Sequence, residues 1–179
     1  SKDQRRKAKT ANFGIIYGVS AFGLAERLEI SRTEAKQLID DYFSSFPKVQ
    51  AYIESAKLRV RDKGFAETLW HRRRYLQDIN SRNPTVRGFA ERNAVNAPIQ
   101  GSAADIIKIA MVAIARRLKV EKLKTQMIMQ VHDELIFDVP KEEVETMKKL
   151  IGEIMANAYP MKTRLDFSLA IGKDWYEAK

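Results

Sequence analysis

Gln130-Val131-His132-Asp133-Glu134-Leu135-Ile136-Phe137 sets three ionisable residues between two apolar runs. Residues 126–131 and 135–139 carry strand signals, so the stretch reads as a hairpin with His132-Asp133 as the central pair of its turn. Tight hairpin turns favour Asn-Gly, Asp-Gly or Gly-Gly, because their central residues need positive φ. Glycine is absent here, although His and Asp tolerate the left-handed region better than most residues. That choice points to a use for the side chains beyond turn comfort. Asp133 and Glu134 also stand as adjacent carboxylates, which repel unless a cation or water lies between them. A hard cation such as Mg²⁺ favours such oxygen ligands. Taken alone, the same residues fit an ordinary polar turn.

Residues upstream of the hairpin narrow the choice. In the segment 5–18, Arg5, Lys9, Phe13 and Tyr17 stand four apart, which lines them up along one helix face. The stripe is basic at its N-terminal end and aromatic at its C-terminal end. A helix made only to cover a core would be apolar along its whole buried face. Phosphates are anions and every base has a π-face, so a nucleotide laid along this stripe would place its phosphates near Arg5 and Lys9. Phe13 or Tyr17 would then meet its sugar and base. Gly14 and Gly18 would permit close approach of backbone or ligand. A surface helix with a basic start and aromatic anchors is the plainer alternative.

The charge distribution agrees with a polyanionic partner. Of the net charge of +9, all lies in residues 1–10, with five basic and one acidic residue, and 59–92, with nine basic and four acidic. The rest of the chain is neutral, as expected where two patches meet nucleic acid. The 179 residues contain no cysteine, which excludes thiolate catalysis and Cys-based zinc sites in this chain. No uninterrupted apolar run approaches the ~20 residues of a membrane span. The basic start lacks the apolar core of a signal peptide, so the expectation is a soluble cytoplasmic protein with no membrane partner.

Helix and strand signals divide the chain. Residues 2–17 form a first helix, opened by capping-box spacing at Ser1–Gln4 and ended by Gly18. A second spans 21–29, and Ser31-Arg-Thr-Glu34 caps a third through Ser44. Pro47 begins a fourth, with Gly64 just past its end. Short strands follow at 65–69 and 74–76. Asn83-Pro84 starts a long helix that Pro98 should kink or break. Beyond the hairpin come a helix over 141–157 and a final strand over 165–171, where Leu165, Phe167, Leu169 and Ile171 alternate with other residues. The fold class is α+β, a small antiparallel sheet packed on helices.

Together these motifs resemble the bacterial DNA polymerase I family, family A. The segment from Arg5 to Gly18 is similar to its motif B, the fingers helix, and 130–134 to its motif C, the palm hairpin. Between them Glu91-Arg92, Asn96, Pro98, Gln100-Gly101 and Ala103-Ala104-Asp105 resemble its long palm helix, and the likeness runs to Gly172-Lys173-Asp174-Trp175. The resemblance implies fingers over 1–64 and part of a palm over 65–179. It implies a DNA-directed DNA polymerase that adds dNTPs to a primer 3′ end with two Mg²⁺ ions. By it, Asp133 is catalytic and a metal ligand, Glu134 an auxiliary metal carboxylate, and His132 a contact to the primer terminus. Arg5, Lys9, Phe13 and Tyr17 bind nucleotide, with Lys9 also donating a proton to pyrophosphate. A Phe at position 13 disfavours dideoxynucleotides in this family. Arg92, Asn96, Gln100 and Gln130 contact primer-template DNA.

Two departures from the family's pattern stand out. Nothing here matches motif A, an Asp-Tyr-Ser-like strand that carries a further catalytic aspartate. Asp40-Asp41-Tyr42 is similar only superficially, since it lies in a helical pattern after motif B. The expectation is a C-terminal fragment, inactive alone, whose partner is the remaining N-terminal part of the parent polymerase. His71 stands where the family usually has Gly, which puts the local turn in question. A noncatalytic nucleic-acid-binding module with the same architecture is the competing reading. An Asp-Tyr-Ser-like strand encoded upstream would separate the two.

Overall fold

The computed structural model describes residues 2–163 and 165–178. It divides into two compact units, one ending at Gly101 and the other beginning at Ser102.

The first unit opens with three helices around one core. Helix α1 (Lys2–Ile16), α2 (Ala21–Leu28) and α3 (Arg32–Ser45) bury Ala11, Ile15, Leu24, Ala25, Leu28 and Ala35 together. Each helix ends for a local reason. Ser20 caps α2 by accepting from the Gly23 amide. Ser31 and Glu34 form both halves of a capping box on α3, the Ser31 hydroxyl accepting from the Glu34 amide and Glu34 from the Ser31 amide. That bonding holds the Glu34 carboxyl below the usual range. The capping box expected at Ser1 lies outside the described residues.

Helix α4 (Pro47–Lys63) has Pro at its first turn and ends on Gly64, whose φ of 78° is left-handed. The chain then turns into hairpin β1 (Phe65–Glu67) and β2 (Arg73–Tyr75), antiparallel, with Ala66 opposite Arg74. The long α5 (Pro84–Val120) follows, and its first half lies in this unit. Val60, Ala66, Leu76, Ile79, Ala90 and Ala94 form one core there, and Ile53, Ala56 and Val95 a second. The Tyr52 hydroxyl donates to the Val95 carbonyl at 3.2 Å, and burial raises its pKa.

In the second unit, Ile114 and Leu118 of α5 pack with Met147 and Leu150 of α6 (Val144–Ala156). Leu123, Met127, Leu135, Phe137 and Val139 close over this core from hairpin β3 (Gln126–Val131) and β4 (Glu134–Asp138) and its flanks. A bulge at Ile128 shifts the register, pairing Met127 with Phe137 and Met129 with Ile136.

The observed class is α+β, as expected, though the antiparallel sheet is two separate two-stranded hairpins. One expectation narrows and another needs correction. Of the kink or break expected at Pro98, the break does not occur: helical structure runs through it from Pro84 to Val120. Proline removes one amide donor and crowds the carbonyl four residues back, a local cost that packing on both sides of position 98 outweighs. Residues 165–171 form no strand, because a strand needs a hydrogen-bonded neighbour and none of the described residues pairs with them. Their alternation is real, but its one visible use is Phe167, whose ring lies against Gly152 of α6.

By length and composition alone α5 would suffice to cross a bilayer. Part of its apolar surface is committed to cores, with Ala90, Ala94, Val95, Ile107, Ala110, Ile114 and Leu118 buried, while Val86, Phe89, Ile99, Ile109, Val112 and Val120 are exposed.

Candidate functional site

Helix α1 sorts its residues by face. Ala11 and Ile15 are buried, while Phe13 and Tyr17 remain 46% and 39% exposed. Their rings stack with centroids 6.2 Å apart, and the Lys9 ammonium lies 5.9 Å from the Phe13 centroid. Lys9, Phe13 and Tyr17 therefore form the continuous cation–aromatic stripe expected from their spacing, and Arg5 lies exposed two turns before Phe13. The anchoring role is taken by Ala11 and Ile15, which frees the aromatics for another partner.

Tyr17 and Gly18 line a cavity of about 170 Å³ with Arg92, Glu91 and Gly88 of α5 and Ile53 and Lys57 of α4. Tyr17 and Arg92, 75 positions apart in the chain, are thereby brought to one place. One α5 turn after Arg92, the Asn96 side-chain oxygen is buried with no hydrogen-bond partner among the described residues. Gln100 lines a different cavity, of about 100 Å³, with Thr68 and the run Arg72, Arg73 and Arg74.

Gly101 explains how that second cavity is built. A side chain there would reach within 2.6 Å of the Thr68 methyl, so only glycine lets α5 approach the β1–β2 turn. Arg72 secures the approach by donating to the Gly101 carbonyl at 3.0 Å. Sequence reasoning passed over Arg72–Arg74, although their position inside the basic segment 59–92 was a signal. It named Glu91 only within the resemblance and gave it no role, because its interaction with Arg61 spans 30 positions of the chain.

The remaining predicted residues belong to the second unit. His132 and Asp133 form the two-residue turn between Val131 and Glu134, and His132 takes the left-handed conformation at φ 55°. Gln130 donates its side-chain amide to the His132 carbonyl at 3.0 Å, stiffening the tip. His132, Asp133 and Glu134 are all exposed. Among the described residues no group of three or more His, Cys, Asp or Glu could hold a metal. Mg²⁺ needs only one or two carboxylates when phosphates and water complete its shell. Asp133 and Glu134 thus fit a Mg²⁺ shared with a ligand, not a closed protein cage.

Comparison with known proteins meets this arrangement from outside. The chain is similar to DNA polymerase I of Bacillus caldotenax, 52% identical over 177 residues, and to that of Bacillus subtilis, 51% identical over 175. These alignments cover 99% and 98% of the chain but 20% of each relative, so the chain spans about a fifth of their length. A solved structure described as the POL domain of Pol1 from M. smegmatis in complex with DNA primer-template and dNTP superimposes with a TM-score of 0.95. The two are 43% identical, over 99% of this chain and 31% of that one. The family model for DNA polymerase family A matches residues 1–177, and with hairpin, stripe and comparisons in agreement, the chain belongs to that family.

Proposed function

We propose that this chain is the nucleotide-binding and part of the catalytic region of a DNA-directed DNA polymerase, with fingers over residues 1–64 and partial palm over 65–179. The stripe of Lys9, Phe13 and Tyr17 carries the reading, because it combines phosphate-seeking charge with stacked exposed rings on one face. The DNA primer-template and dNTP of the M. smegmatis complex support the same two ligands here.

In this reading Arg5 and Lys9 hold the triphosphate, and Phe13 lies against the sugar near its 3′ position. Tyr17 and Arg92 share a cavity wall where the nascent pair is tested, and Asn96 and Gln100 extend the DNA contacts along α5. His132 and Gln130 contact the primer end. The 3′-hydroxyl loses its proton to solvent, its oxygen attacks the α-phosphorus, the bond to pyrophosphate breaks, and Lys9 gives the leaving group a proton. Mg²⁺ held by Asp133 and Glu134 would ease ionisation of the 3′-hydroxyl and neutralise phosphate charge. A second ion requires a carboxylate this chain does not provide, so the 179 residues alone do not extend a primer.

The test grafts this chain onto the remainder of the Geobacillus stearothermophilus DNA polymerase I, a relative 50% identical over 177 residues. Lys9→Ala in that chimera should lower kcat/KM for dNTPs by about two orders of magnitude, the scale of losing a positioned acid or an electrostatic contact. Unchanged nucleotide kinetics would remove Lys9 from the site.

A further inference from the structure

Two cations, Lys57 and Arg92, line the Tyr17 cavity, and two more, Arg61 and Arg87, reach the Glu91 that lines it, but the structure treats the four unequally. Lys57 and Arg61 of α4 and Arg87 of α5 all reach one carboxylate, that of Glu91. Arg61 lies 2.5 Å from it, Lys57 3.7 Å and Arg87 4.0 Å. Arg92, the next residue along α5, makes no ion pair among the described residues. Its side chain runs beside Gly18 and Gly88, with the guanidinium 6.0 Å from the Phe89 ring centroid. Lys57, Glu91 and Arg92 all line the cavity.

We propose that Glu91 is a specificity-determining residue that silences Lys57 and Arg61, so that Arg92 is the cation presented to a phosphate at the Tyr17 cavity. This role rests on the DNA-binding reading above. A carboxylate costs binding to a polyanion, so its presence inside a DNA-facing basic segment calls for a compensating role. Glu91 is the least exposed member of the cluster, 21% against 32–40% for its three partners, so it is screened least. With Glu91 charged, its neighbouring cations are occupied and DNA meets Arg92 in a fixed place. With Glu91 neutral, Lys57 and Arg61 are released to take phosphates from any duplex, and each phosphate neutralised sheds a counterion.

The experiment measures binding of labelled primer-template and of blunt duplex to the 179-residue chain across a salt series. For Glu91→Gln, the slope of log K against log salt should steepen by about 0.9 for every additional phosphate neutralised. Affinity for blunt duplex should rise several-fold at low salt, and the ratio favouring primer-template should fall. Glu91→Asp keeps the charge and should retain the parent slope. The double variant Glu91→Gln, Lys57→Gln should give back the part of the steepening that Lys57 supplies. An unchanged slope in Glu91→Gln, or equally weakened binding to both DNAs with a lowered Tm, would show that Glu91 only braces α4 against α5 and would overturn the proposal. A flat salt response in the unsubstituted chain would overturn the DNA-binding reading itself, and the role of Glu91 with it.

Discussion

His71 holds a backbone conformation, φ 61°, that glycine adopts freely and a side chain resists. Its imidazole lies 4.0 Å from Glu67 and is 85% exposed, too weak an interaction to repay the strain. His71→Gly should therefore stabilise the first unit by about 0.5–1 kcal/mol, after the entropy glycine adds to the unfolded chain. Thermal unfolding would show a raised Tm; a lowered Tm would mean the His71–Glu67 interaction matters more than the backbone. Glu143 is the opposite case, invisible in the sequence because its partners lie 18 and 19 positions away. Its carboxylate accepts from the Thr125 hydroxyl at 2.6 Å and from the Lys124 and Thr125 amides, which holds its pKa below the ordinary value. A depressed carboxyl pKa stabilises the fold above the unfolded-state value, and that contribution is lost as pH falls through the folded-state value. Glu143→Gln should thus unfold more easily at neutral pH and show a shallower loss of stability on acidification, followed by circular dichroism. An unchanged acid profile would contradict the assignment.

Helix ends were the most legible elements, because caps are local. Ser31, Glu34, Pro47 and Gly64 each act within a few residues of their own position, and each helix end they mark is found where expected. Ser31→Ala should cost about 1 kcal/mol of stability, read by chemical denaturation, and no loss would mean α3 does not need its cap. Strand existence was less legible. Residues 126–138 alternate in both phases because a bulge at Ile128 intervenes, a feature only pairing reveals. Such bulges re-aim the side chains beyond them, here Gln130 through Glu134. Residues 165–171 alternate as cleanly as any strand yet pair with nothing described, since alternation records a face and not a neighbour. Pro98 produces no break for a related reason: propensity is a local cost, and packing along α5 overrides it.

At the scale of the molecule, the candidate site was legible where spacing alone places residues together. The Lys9–Phe13–Tyr17 stripe and the His132-Asp133 turn are both of that kind. The Tyr17–Arg92 cavity and the Glu91 cluster depend on tertiary packing, and no pattern in the chain announces them. The β3–β4 hairpin also leaves both its edges unpaired among the described residues, with Ile128 58% exposed. Exposed strand edges recruit other strands, so sedimentation should detect concentration-dependent association. A clean monomer at high concentration would contradict that expectation. In the proposed function Asp133 serves the polymerase reaction and not merely the turn. Primer extension with Mg²⁺ and all four dNTPs, by the chimera and its Asp133→Ala variant, tests it most directly. The chimera should extend, and the variant should bind primer-template but add no nucleotide. Equal extension by both would remove Asp133 from the chemistry and leave the hairpin tip a polar turn.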